Sequence, residues 1–163
     1  MNYRIEQDFL GELKIPHDAY YGVHTARALA NFNLPNYHLT HNYLIQGFAK
    51  VKIAAANANY RTGKINSETC KAIIFACEQI LAGKYLDQFT IPAIQGGAGT
   101  STNMNANEVI ANIALEHLGY EKGRYDILHP INHVNMSQST NEAYPTAIKL
   151  GIYELINEVE RNL

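Results

Sequence analysis

The chain has 163 residues, 47% of them hydrophobic, and a formal net charge of −2. That size and balance suit one soluble domain able to bury a core. The absence of any lysine or arginine cluster argues against a nucleic-acid surface, and no apolar run approaches a membrane span.

The amino terminus, MNYRIEQDFL, lacks the charged-then-apolar build of a signal peptide. Arg4–Phe9 and Glu12–Ile15 read as a small ribbon or an extended arm, too short to stand alone. A turn at Pro16 and Asp18 leads to a short helix over His24–Asn31, and Asn33–His38 reads as a loop. Four longer helices follow. The first, Asn42–Arg61, carries Leu44, Phe48, Val51, Ala55 and Ala58 on one stripe and stops at Gly63. The second takes Asn66 as N-cap, carries Cys70, Ile73, Ile74, Cys77, Ile80 and Leu81, and ends at Gly83. Tyr85–Ile94 reads as extended, without a sheet.

The third helix grows out of Ile94–Glu116, the most unusual stretch of the chain. Its inward face is Val109, Ile110, Ile113, Ala114 and Leu118, and it closes at Gly119. The fourth starts near Asn141, holds Pro145 in its first turn, and places Ile148, Ile152, Leu155 and Val159 on one face. That apolar stripe reaches Leu163 with no stop signal, which reads as a fragment or as a helix that packs on a partner. The two cysteines share a helix face roughly 10 Å apart along the axis, too far for a disulfide. They read as buried thiols of a reducing compartment, the cytoplasm by default.

The stretch from Ile94 opens with Gly96, Gly97 and Gly99, then Thr100-Ser101-Thr102, with Asn103, Asn105 and Asn107 on the way into the helix. Glycines admit close backbone approach, and a helix mouth offers unpaired N–H donors and a positive dipole end. This describes an anion cradle of neutral donors. No lysine or arginine lies between Lys84 and Lys122, so any cation must come from another segment or chain. Nucleotide loops fail the spacing. A P-loop begun at Gly96 would need a glycine where Ser101 stands, and a dinucleotide turn begun at Gly97 would need one at Thr102.

A glycine turn with hydroxyl caps is the commoner reading of such residues. A second stretch, His129–Asn141, shifts the balance: it too is rich in small polar groups ahead of a helix and has no lysine or arginine. Two such mouths suggest a polar pocket for a small acid. His129 and His133 are four apart, but Pro130 disrupts the regular helix a metal pair would need, so they read as loop histidines with hydrogen-bond roles. His17, His24, His38, His41 and His117 read as scattered and exposed. Glu108 and Glu116 read as ordinary helix charges, and no paired-carboxylate site is supported.

Several stretches together resemble the aspartase/fumarase superfamily. They are Gly96-Gly97-Ala98-Gly99-Thr100-Ser101, Asn103-Met104-Asn105-Ala106-Asn107-Glu108, His133-Val134-Asn135-Met136-Ser137-Gln138-Ser139-Thr140-Asn141 and Pro145-Thr146-Ala147. The opening Asp18-Ala19-Tyr20-Tyr21-Gly22-Val23 is similar too. Ser101, Met136 and Ser139-Thr140-Asn141 resemble the aspartase branch, whereas His129-Pro130 resembles the start of a loop in class II fumarases. That loop's accessory dicarboxylate site would fall on His129 and Asn132, and the departure of Ile131 and Asn132 from the fumarase pattern counts against it. Glu142 departs from the usual Asp.

The resemblance implies a mainly α fold: an N-terminal helical domain over 1–140 with a short arm or ribbon, then the first helix of a central bundle over 141–163. It implies elimination of ammonia from L-aspartate to give fumarate, through a carbanion held as an aci-carboxylate. Thr100, Ser139 and Thr140 would hold the substrate carboxylate and Asn141 the amino group, with Gly99, Ser101 and Asn103 shaping the loop behind them. No cofactor or metal ligand set is implied, although some relatives respond to divalent cations. The family's Gly-Ser-Ser-x-Met-Pro-x-Lys-x-Asn motif, which supplies the serine base and a lysine, does not occur here. No catalytic residue is therefore assigned, and a homotetramer several hundred residues per subunit is implied. A non-catalytic helical domain for a small acid or a partner helix is the alternative, with malate dehydration by a fumarase as the third.

Overall fold

The computed structural model describes residues 2–33 and 40–163. Apart from Asn33, the expected loop Asn33–His38 lies outside the described residues, His38 included. The N-terminal segment is a two-stranded antiparallel ribbon, β1 (Tyr3–Asp8) and β2 (Gly11–Pro16), with Asp8 opposite Gly11 and the turn at Phe9-Leu10. The ribbon is fixed to the body by charge. Arg27 clamps Asp8 through two 2.8 Å bonds and donates to the Gly11 carbonyl. The Arg4 guanidinium gathers the carbonyls of Pro16, Ala19 and Tyr21, which sets the path into α1 (Val23–Asn31).

The remaining helices are α2 (Asn42–Arg61), α3 (Ser67–Leu81), α4 (Thr100–His117) and α5 (Thr140–Arg161). Caps and glycines delimit them as the sequence predicts. Asn66 Oδ1 accepts from Thr69 N at 2.8 Å, and Gly63 and Gly83 take positive φ just past α2 and α3. Tyr85–Ile94 contains a single 3-10 turn, Leu86–Gln88, rather than an extended run. Pro130–Val134 is one π-type turn. Pro145 falls in the second turn of α5, because that helix begins at Thr140.

Two faces differ from the expected ones. The inward face of α2 is Ile45, Phe48, Ala49, Lys52, Ala56 and Asn59, one position round from the stripe expected from Leu44, Val51, Ala55 and Ala58. On α4, every residue from Asn105 to Leu115 is buried, because α1, α3, α5 and the π turn enclose it. Leu118 is only half-buried. The core runs from Ile45 and Phe48 through Ile73, Ala76 and Ile80 to Ile110 and Leu115. Cys70 and Cys77 are free thiols within it, and burial pushes Cys77 up to about 12.

Enclosure also changes the role of Glu108, which is no ordinary helix charge. It is fully buried, and its carboxylate accepts from the backbone N of Gly22, His24 and Thr25 at 2.8–3.0 Å and from the Thr25 hydroxyl at 2.6 Å. Glu6 from β1 takes Val23 N at 2.9 Å. Two carboxylates thus meet the positive end of α1, which favours the pairing. His24 is drawn in with them and is half-buried, while His17, His41 and His117 are exposed.

On α5, Ala143, Ala147 and Gly151 face α2, while Ile152, Leu155, Ile156 and Val159 stand exposed. Among the described residues no helix is long and apolar enough to cross a membrane.

Candidate anion site at two helix mouths

The first mouth is built on glycine geometry. Gly97 and Gly99 both adopt positive φ (91° and 81°), and Gly99 is the N-cap of α4. A Cβ at Gly99 would come within 2.3–2.5 Å of the Tyr144 ring, so only glycine lets α5 pack against this turn. Thr100 is exposed at the start of α4 and Ser101 is half-buried, whereas Thr102 is buried and accepts from Gln95 Nε2. Of the three asparagines expected at the mouth, Asn103 alone bonds to the second loop. Asn105 is buried and donates to the Gln88 carbonyl, and Asn107 is buried beside Met104.

The second mouth is closed by a capping box. Ser139 Oγ accepts from Asn141 N at 3.2 Å, and Glu142 reaches back to Ser139 N at 3.4 Å. This gives Glu142 a structural role where the family pattern has Asp. Asn141 lines an open depression of about 410 Å³ together with Gly97, Ala98, Tyr144 and Pro145. A larger hollow of about 530 Å³ lies near the far end of α5, among Glu154, Asn157, Glu160 and Arg161, where no helix mouth opens.

The two mouths are joined by side chains. Asn103 Nδ2 donates to Thr140 Oγ at 3.0 Å and to Asn135 Oδ1 at 3.1 Å. Beneath them stands Lys52, fully buried, whose Nζ donates to Asn103 Oδ1 (2.9 Å), Asn135 Oδ1 (2.9 Å) and Gln138 Oε1 (3.0 Å). Its three donors therefore meet three neutral oxygens, with no carboxylate among its hydrogen-bond partners in the described residues. Burial pulls the ammonium down to about 7, and the three oxygens favour the charged form against that pull.

The sequence leaves any cation to another segment or chain, and Lys52 on α2 is a cation of such a segment, bonded to Asn103. Its signal was available: Lys52 lies four residues after Phe48 and four before Ala56, in the middle of the buried stripe. With the positive ends of α4 and α5, it makes the floor of this region favourable to an anion even though the rim is neutral.

His129 and His133 are engaged locally. His129 Nδ1 accepts from Ile131 N (3.0 Å) and Asn132 N (3.3 Å), and His133 Nδ1 accepts from His129 N (2.8 Å). Burial lowers the pKa of both imidazoles. The nitrogen that faces Asn132 is thus already used to hold the turn, and the Asn132 side chain is exposed. Among the described residues no three His, Cys, Asp or Glu side chains converge as a metal site.

The mainly helical chain thus brings its glycine turn and Asn141 to one depression, and comparison with known proteins gives the family. A family profile described as lyase matches residues 11–163, and the chain belongs to that family. It is 56% identical over 153 residues to the aspartate ammonia-lyase of Corynebacterium glutamicum, covering 93% of this chain and 29% of that protein. A Brucella melitensis crystal structure described as fumarate lyase:delta crystallin bound to cobalt superposes with TM-score 0.95 at 50% identity, covering 98% of this chain and 35% of that one. The class II fumarase of Schistosoma mansoni follows at TM-score 0.87 and 37% identity, covering 93% and 32%. The chain thus spans about a third of the length of the relatives it matches.

Proposed function

We propose that these residues form part of the active site of an aspartate ammonia-lyase, which eliminates ammonia from L-aspartate to give fumarate. The observation that carries the reading is the Asn103–Thr140 bond, which ties the mouths of α4 and α5 together beside the depression lined by Asn141. In the reaction a base removes the proton beside the side-chain carboxylate, and that carboxylate takes on a second negative charge. Donors already in place stabilise such charge without reorganising. Thr100, Ser139 and Thr140 hold the carboxylate and Asn141 the amino group, with Gly99, Ser101 and Asn103 as the supporting loop.

The proton acceptor is not assigned to these residues, since the serine-bearing motif of the family is absent from the 163. It comes from beyond them, in a homotetramer that covers Ile152, Leu155, Ile156 and Val159. The higher identity to an aspartate ammonia-lyase than to a fumarase favours aspartate over malate as substrate. The chemistry as written draws on no cofactor. Offering L-aspartate and L-malate to the intact protein tests the reading: fumarate should form from aspartate, and these 163 residues alone should form none. Preference for malate would reverse the substrate, and no fumarate from either would reject the enzyme.

A further inference from the structure

We propose that Lys52, Asn103 and Thr140 form a one-directional hydrogen-bond relay that gives the site its positive charge and turns the Thr140 hydroxyl hydrogen toward the ligand. This deepens the proposed function and rests on it, with Lys52 as a positioning residue that touches no substrate.

The direction follows from donor chemistry. A protonated lysine can only donate, so the Asn103 atom facing Lys52 at 2.9 Å is the carbonyl oxygen. That fixes the amide, and its Nδ2 must point to Thr140 Oγ, 3.0 Å away. The Thr140 oxygen is then an acceptor on that side, and no acceptor among the described residues takes its hydrogen. The hydrogen is free for an anion at the mouth of α5. Each link polarises the next, so charge on Lys52 strengthens the last donor.

Asn135 and Gln138 hold the remaining Lys52 donors. From α3, Cys77 faces Lys52, and its thiol, pushed up to about 12 by burial, stays neutral. Among the described residues no carboxylate stands at hydrogen-bond distance from the ammonium. Titration of Lys52 therefore switches the relay, and with its pKa drawn down to about 7 the switch falls near neutral pH.

The test uses the intact protein, with fumarate as probe. Fumarate affinity should fall as pH rises through the Lys52 titration, followed by the isotope-labelled lysine side-chain resonance. Lys52→Met should weaken fumarate binding by about 10- to 100-fold below that midpoint and abolish its pH dependence. The Asn103 side-chain amide resonance should titrate with the same midpoint, a readout that needs no ligand. Asn103→Asp keeps an oxygen toward Lys52 but withdraws the donor from Thr140, so it should weaken binding even if Lys52→Met fails to fold. In a Thr140→Val background the Lys52→Met effect should shrink to the part that direct attraction of the charge supplies. An Asn103 amide that ignores the Lys52 titration, or equal losses in the two backgrounds, would overturn the relay. An unaltered protein that neither binds fumarate nor turns over aspartate would overturn the functional reading instead, whatever the Asn103 resonance does.

Discussion

Gly47→Ala is expected to lower unfolding free energy by about 3 kcal/mol and the proposed turnover of L-aspartate, measured on the intact protein, by about 100-fold. A Cβ at Gly47 would stand 2.3 Å from the Ala147 carbonyl oxygen and 3.0 Å from its carbon. These are backbone atoms of a neighbouring helix, so no side chain can swing aside. Alanine is intrinsically the better helix former by about 1 kcal/mol, but that gain is smaller than the cost of separating α2 from α5. The functional loss follows because α2 carries Lys52 and α5 carries Thr140 and Asn141. Moving one helix against the other misplaces the first turn of α5. Urea denaturation and steady-state kinetics read both effects. Gly151→Ala grades the response, since its Cβ would lie 3.1 Å from Tyr43 backbone atoms and should cost about 1 kcal/mol. A Gly47→Ala protein as stable and active as the parent would mean the crossing has slack that these distances deny.

Glu108→Ala should cost about 4 kcal/mol. It strands three backbone N–H groups and the Thr25 hydroxyl in a region where all four now end on one carboxylate. Burial raises the Glu108 carboxyl above its ordinary range against the pull of those four donors. Glu6 still takes Val23 N in the variant but reaches none of the other three backbone donors. Amide exchange should therefore rise first at Gly22, His24 and Thr25, ahead of α3. Unchanged exchange at those amides would show that Glu6 alone suffices to hold α1.

Much of the fold could be read from local chemistry. Asn66, Gly63, Gly83 and Gly119 mark helix ends because capping depends on the nearest few residues. The glycine turn and the Ser139-Thr140-Asn141 cap stood out for the same reason. What escaped were residues whose meaning lies far along the chain. Lys52 looks like a solvated charge until Asn103, Asn135 and Gln138 supply oxygens 51 to 86 residues away. Glu108 looks like a surface residue until the start of α1 arrives from 83 to 86 residues earlier. The α2 stripe lies one position round from the expected one for a related reason: hydrophobic periodicity picks out Leu44 and Val51, whereas the buried face includes Lys52 and Asn59, whose partners come from the distant loop. Asn105 and Asn107 were grouped with Asn103 by spacing, although helix geometry sends them to other faces.

A structure of the intact protein with fumarate bound addresses the central claim most directly. One fumarate carboxylate should lie within about 3 Å of the Thr100 and Thr140 hydroxyls, beside Asn141 and above the Lys52–Asn103 link. Fumarate seated elsewhere, with both mouths filled by packed side chains, would contradict the account.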